Sequence, residues 1–182
     1  MSVLALSFLA SLLVSLWVVR YNHLHGHLTA DSDVTSVQKF HFNAVPRVGG
    51  VGIVIGLLVA LVWRYFENIS VGTFGLLLLV SALPAFLAGL LEDVTKRVGV
   101  KFRLLATMFS AICAGYLLNG WLTSVQVLGI DNLLLAYPVV AIAITCFAVG
   151  GVANSFNIID GYNGLSSMVA VIILAGIAYV AF

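Results

Sequence analysis

An all-α, polytopic bundle of about six transmembrane helices, with its N-terminus periplasmic, is the fold this sequence predicts. Three observations predict it. Of 182 residues, 62% are hydrophobic and 8% charged, whereas soluble domains average about 45–50% apolar and about 25% charged. A water-soluble fold of this size has no interior large enough to hide that much apolar side chain. The apolar residues come in six continuous runs near the length a bilayer requires, about 20 residues, and they do not alternate as strands would. Finally, the few basic residues are sorted to one side of those runs.

Taken in order, the first run covers residues 2–19, with Arg20 after it and no basic residue before it. A cleavable signal peptide has the opposite polarity, so this run is expected to be a retained helix. The second run, 48–66, follows Pro46, Arg47 and the Gly49–Gly50 pair. Proline fits a first helical turn. Gly52 and Gly56 form a G-x-x-x-G, a pattern that lets helices approach closely. The third run, 71–91, ends at Glu92 and Asp93; the fourth, fifth and sixth cover 104–122, 133–153 and 165–182. Asn68-Ile69-Ser70 reads as a glycosylation sequon, but its place in a short turn makes it a chance match. Cys113 and Cys146 both lie in apolar runs and are expected as packed or lipid-facing thiols without a disulfide.

Six runs of alternating direction put the connections after the first, third and fifth on one face. Arg20, Lys39, Arg47, Lys96, Arg97, Lys101 and Arg103, seven of the eight basic residues, fall on that face, and Arg64 near the other. The positive-inside rule makes the basic face cytoplasmic. Asp31, Asp33, Glu92, Asp93 and Asp160 share it, while Glu67 and Asp131 lie outside. The chain is thus one integral membrane domain, 1–182, with cytoplasmic-side segments at about 20–47, 92–103 and 154–165. Any chemistry belongs there.

Two segments on that face carry chemistry-bearing residues in a meaningful pattern. Glu92 and Asp93 sit at the C-terminal end of an apolar helix, where the macrodipole disfavours negative charge and where adjacent acids repel. A divalent metal or nearby cations would relieve both costs, and hard oxygen ligands suit magnesium. An interfacial acid pair beside a basic loop is the plainer reading of the local sequence. In NSFNIIDGYNGLSS (154–167), Asn154, Asn157 and Asp160 recur at a spacing of three, which places them on one helical face. Their amide and carboxylate groups suit a nucleobase edge; a capped turn between two spans is the alternative. The helix start beside Arg47 could hold a phosphate. His23, His25 and His27 alternate, but with no further ligand in reach they read as interfacial histidines.

VPRVGG (45–50), GLLEDVTKRVGVKFRLL (89–105) and NSFNIIDGYNGLSS (154–167) stand in order on one face. Together they resemble the polyprenyl-phosphate N-acetylhexosamine-1-phosphate transferases, the superfamily of phospho-N-acetylmuramoyl-pentapeptide transferase, and within it the undecaprenyl-phosphate GlcNAc-1-phosphate branch. Glu92 and Asp93 match that family's acidic pair, with Glu92 in place of an Asp. Asn154, Asn157, Asp160, Gly161 and Gly164 match its N-x-x-N-x-x-D-G-x-D-G pattern, with Asn163 in place of the second Asp.

The resemblance implies Asp93 as base or phosphate activator and Glu92 with Asp93 as catalytic and metal-facing residues. It implies Asn154, Asn157 and Asp160 in a uridine pocket, and Arg47, Lys39 and His41 on phosphates. The implied cofactor is Mg2+, or Mn2+. The implied substrates are undecaprenyl phosphate and a UDP-sugar, met at the cytoplasmic face of a bacterial inner membrane. Sugar-1-phosphate is transferred, UMP leaves, and cell-envelope polysaccharide synthesis begins. A homodimer fits this reading, and nucleic acid does not. The family's later G-D-x-G-S segment and His-rich loop do not occur in these residues, so the resemblance extends to the N-terminal part of a longer fold. Competing readings are a catalytically inactive fragment and a non-enzymatic membrane protein, such as an ion or proton transporter using Glu92, Asp93 and Asp160 as a relay.

Overall fold

The computed structural model describes residues 2–21, 48–95, 98–127, 129–159 and 164–181. The described residues form seven helices and no strand. They are α1 (Ser2–Arg20), α2 (Gly50–Glu67), α3 (Ile69–Thr95), α4 (Val100–Leu118), α5 (Ile130–Ala136), α6 (Pro138–Ile159) and α7 (Leu165–Ala181). The all-α membrane class holds. Five helices (α1, α2, α3, α4 and α6) are long and apolar enough to cross a bilayer. The sixth expected run is also a helix, α7, apolar over the 17 residues described.

The helices stand in an open row. α1 packs on α2, α2 on α3, α3 on α4 and α4 on α6, while α5 and α7 touch only α6 among the described residues. Pairing runs antiparallel, and small residues make it possible. Ser7, Ser11 and Ser15 of α1, four residues apart, face Gly56 and Gly52 of α2. Ser7 Oγ donates to the Gly56 carbonyl at 2.9 Å. The G-x-x-x-G is therefore a helix-packing surface, as expected of apolar helices in lipid that gain from close backbone approach. The buried positions repeat the theme: Ser81 and Ala88 on α3, Thr107, Ser110, Ala111 and Gly115 on α4, and Ala141, Thr145 and Gly150 on α6. Large apolar side chains such as Phe8, Phe66, Phe109, Phe147 and Tyr179 point outward, where lipid is their solvent.

Local chemistry sets the helix ends. Asn68 separates α2 from α3; its Oδ1 accepts from the backbone N–H groups of Ser70 (3.1 Å) and Val71 (3.2 Å). This is an N-cap, which gives the sequon-like triplet a structural use. α3 continues past the expected stop at residue 91 to Thr95, so Glu92 and Asp93 lie in its last turn. α4 starts earlier than the predicted 104, at Val100, and stops at Asn119, whose φ of 53° is left-handed. Apolarity alone did not register that stop; a left-handed Asn followed by Gly120 ends a helix regardless of hydropathy.

The fifth run is not one helix. Tyr137 is extended (φ −126°, ψ 90°), as a residue before proline prefers. Pro138 then opens α6 as its first residue, leaving α5 as a separate short helix. Cys113 is half-buried, Cys146 is buried, and both are free thiols.

Candidate active site at the shared helix ends

The antiparallel row brings the last turn of α3, the first turn of α4 and the last turns of α6 to the same end of the molecule. Arg103 of α4 ties the three together. Its Nη1 donates to both carboxylate oxygens of Glu92 on α3, at 2.9 Å to Oε1 and 2.7 Å to Oε2. Its Nη2 donates to Asn154 Oδ1 on α6 at 3.5 Å. With the Asn157 amide turned so that its oxygen meets donors, the orientation its surroundings require, Asn157 accepts from Nη2 at 2.9 Å and from Nη1 at 3.2 Å. The Arg103 side chain is 14% exposed and that of Glu92 29%, so the pair sits at the edge of the packed interior, partly shielded from water.

Electrostatics explain why the two charges meet. Glu92 lies at the C-terminal end of its helix and Arg103 at the N-terminal end of its own. Each is on the side of its macrodipole that repels it, and each supplies the opposite charge the other lacks. Asp93 follows Glu92 by one residue, so its Cβ is turned by about 100° around α3; it is half-buried. Lys101, two residues before Arg103 and so on the other side of α4, is exposed. Packing below the cluster is close. A Cβ added at Gly150 would lie 3.2 Å from Leu104 Cδ1 and 3.3 Å from Met108 Cγ. Between the helices is a cleft of about 30 Å³ lined by Arg103, Leu104, Thr107, Ala153 and Asn154, room for a water molecule and far short of the several hundred Å³ a drug-sized ligand occupies.

Of the residues singled out in the sequence, the structure gathers Glu92, Asn154 and Asn157 around one guanidinium, with Asp93 adjacent to Glu92. Spacing by three does put both Asn side chains on the face toward α4. Asp160, Arg47, Lys39 and His41 lie outside the described residues, as do Lys96 and Arg97. Among the described residues no three His, Cys, Asp or Glu side chains converge as a preformed metal cage. The acidic donors suit a hard cation that keeps waters and substrate phosphates as its other ligands, with one qualification in the geometry: both oxygens of Glu92 already face Arg103.

The sequence reading treated Arg103 only as one of four cations in a basic loop. The available signal is helix position: Lys101 and Arg103 both fall in the first turn of α4, where positive charge is disfavoured, and the fold shows that Arg103 is the one that reaches Glu92.

Comparison with known proteins gives the chain a family. Residues 75–182 match the family model described as glycosyl transferase family 4. That stretch runs from within α3 through α7 and contains the whole cluster. The chain is 27% identical over 177 residues to a Saccharolobus solfataricus protein, covering 96% of this chain and 52% of the relative. It is 26% identical over 178 residues to a Sulfolobus acidocaldarius protein, covering 95% and 52%. Both relatives are archaeal and carry the provisional name UDP-N-acetylglucosamine–dolichyl-phosphate N-acetylglucosaminephosphotransferase. The chain spans about half the length of these curated relatives. No solved structure matches it.

Proposed function

The chain belongs to glycosyl transferase family 4, and on that footing we propose that it transfers N-acetylhexosamine-1-phosphate from a UDP-sugar to a membrane-embedded polyprenyl phosphate, releasing UMP and starting a lipid-linked glycan. The observation that carries this reading is the Arg103 hub, which joins an acidic helix end to a pair of amides at one rim of a membrane bundle. A lipid phosphate lies at headgroup depth and a nucleotide sugar in the water beside it, and a rim site meets both. The basic residues assigned to this face by the positive-inside rule support a cytoplasmic orientation.

In the proposed reaction a phosphate oxygen of the lipid attacks the sugar-proximal phosphorus of the UDP-sugar. A new P–O bond forms, the bond from that phosphorus to the bridging oxygen breaks, and the electron pair leaves on UMP. Both reactants are anions, so the site must offset their repulsion and stabilise charge on the transferred phosphoryl group. Arg103, held by three helices, supplies fixed positive charge. Asp93 takes or screens the acceptor's proton so that an anionic oxygen faces the phosphorus. Asn154, Asn157 and Asp160 hold the nucleotide, and Arg47, Lys39 and His41 contact phosphates. Magnesium, or manganese, held by Asp93, would polarise the diphosphate when bound.

The lipid acceptor is a polyprenyl monophosphate. The sequence pattern points to undecaprenyl phosphate and the relatives' names to dolichyl phosphate. The position of Glu92 in the last turn of α3, not at mid-span, weighs against a proton relay through the membrane.

The test is UMP release by the chain in lipid nanodiscs with magnesium, a panel of UDP-sugars and either lipid. UMP release is expected with a UDP-N-acetylhexosamine and abolished by Asp93→Asn, with membrane insertion intact. No release with any donor would refute the transferase reading, and wild-type-like turnover by Asp93→Asn would refute the role given to Asp93.

A further inference from the structure

We infer that Glu92 is a positioning residue: it aims the Arg103 guanidinium at the substrate's diphosphate and is not a metal ligand. This inference rests on the transferase reading for its substrate, but its geometry stands independently. Both Glu92 oxygens lie within 2.9 Å of the same nitrogen, Nη1. A divalent cation on either oxygen would sit beside a guanidinium already in contact with it, and the two positive charges would repel.

The guanidinium itself is oriented by acceptors on two other helices. Glu92 on α3 fixes one side of the fork, and Asn154 and Asn157 on α6 fix the other. A planar, rigid fork held from two directions cannot rotate without breaking contacts on both. With only 14% of the Arg103 side chain exposed, the cation is held at the rim where an approaching anion meets it.

Side-chain length is part of the device. Shortening residue 92 by one methylene withdraws the carboxylate by about 1.5 Å, which turns a 2.7 Å contact into one of about 4 Å, beyond hydrogen-bond range. Glu92→Asp therefore keeps the charge and loses the aim.

Two measurements on the whole chain test this. The first is UDP binding by calorimetry in EDTA, where no metal contributes. Arg103→Gln is expected to weaken binding about tenfold or more, the scale of one charge-assisted contact. Glu92→Gln and Glu92→Asp should each weaken it severalfold, and Glu92→Gln on top of Arg103→Gln should add nothing. Unchanged metal-free affinity in Glu92→Gln, or fully additive losses in the double variant, would overturn the inference. If the wild type binds no UDP, it is the nucleotide-binding reading that fails.

The second measurement does not depend on any ligand. In 15N spectra of the arginine side chains, the Arg103 Nη signals, identified by their loss in Arg103→Lys, should be resolved in the wild type because rotation is hindered. They should coalesce in both Glu92→Gln and Glu92→Asp. Helical circular dichroism checks that each variant is folded. Resolved Nη signals persisting in folded Glu92→Gln would show that Glu92 does not hold the guanidinium.

Discussion

Ser110→Ala deletes a single oxygen, and its effect on stability can be worked out from the geometry of α3. Pro84 lies inside that helix, where it contributes no N–H and its ring pushes away the carbonyl four residues back. The next amide, Ala85 N–H, donates across the helix pair to Ser110 Oγ of α4 at 3.0 Å. Ser110 is 7% exposed, so no water can take over the role. Leaving a buried donor unsatisfied costs about 1–3 kcal/mol, while hydrogen bonds between membrane helices average only about 0.6 kcal/mol and reach about 1.7.

The average is low because an unpaired group in a membrane helix usually finds another partner. Beside a proline the helix's own hydrogen-bond ladder is already interrupted, so Ser110→Ala is expected near the upper figure, about 1–1.5 kcal/mol. The assay is reversible unfolding in mixed micelles by SDS titration. A double-mutant cycle with Pro84→Ala isolates the cause. With Ala at position 84 the ladder is uninterrupted and offers Ala85 N–H the Ser81 carbonyl as a full alternative, and Ser110→Ala should then cost no more than about 0.3 kcal/mol, a coupling of about 1 kcal/mol. Equal costs in the two backgrounds would refute the argument.

Two further outcomes follow from the packing and from the loop at the opposite end. Gly56→Leu should destabilise by about 2–3 kcal/mol in the same titration, since a Cβ there would lie 3.0 Å from Ser11 Cβ and 3.1 Å from the Ser7 carbonyl; Gly89→Leu, with nothing within 4 Å, should change stability little. Asp131 accepts from Val125 N–H at 2.8 Å and from Ser124 Oγ at 2.9 Å. The Val125 backbone bond, then the Ser124 hydroxyl, hold its carboxyl below the ordinary value of 3.8. A lowered folded-state pKa stabilises above the unfolded value and loses that contribution as pH falls through the folded one. Hydrogen exchange at Val125 should therefore be flat in this contribution from about pH 5 upward and accelerate only below about pH 4, and Asp131→Ala should exchange fast at every pH.

Hydropathy located the long helices because each is a continuous apolar run and lipid tolerates little else. It erred where a stop is written in backbone chemistry. Asn119 and Gly120 end α4 inside an apolar stretch, and Tyr137–Pro138 splits the fifth run, because apolarity does not report on φ or on a missing N–H. The acids and the paired amides were legible as a pattern, since a cluster of polar groups at the end of an apolar run is uncommon and the spacing of three fixes a face.

Arg103 was not legible by the same route. The positive-inside rule assigns every loop cation to topology, and nothing in that rule separates Arg103 from Lys96, Arg97 or Lys101. Helix electrostatics narrows the four to Lys101 and Arg103, both in the first turn of α4, and the fold shows that Arg103 is the one that meets Glu92. An acid in the last turn of one helix and a base in the first turn of the next are each misplaced on their own helix. When a short connection makes the two helices antiparallel neighbours, those ends are adjacent, and pairing the two charges removes both penalties at once. Glu92 and Arg103, eleven residues apart in sequence, meet that condition. The same reasoning says why the link to α6 had to await the fold: Asn154 is fifty-one residues from Arg103, and only the seating of Gly150 against Leu104 and Met108 sets the depth at which its amide reaches the guanidinium.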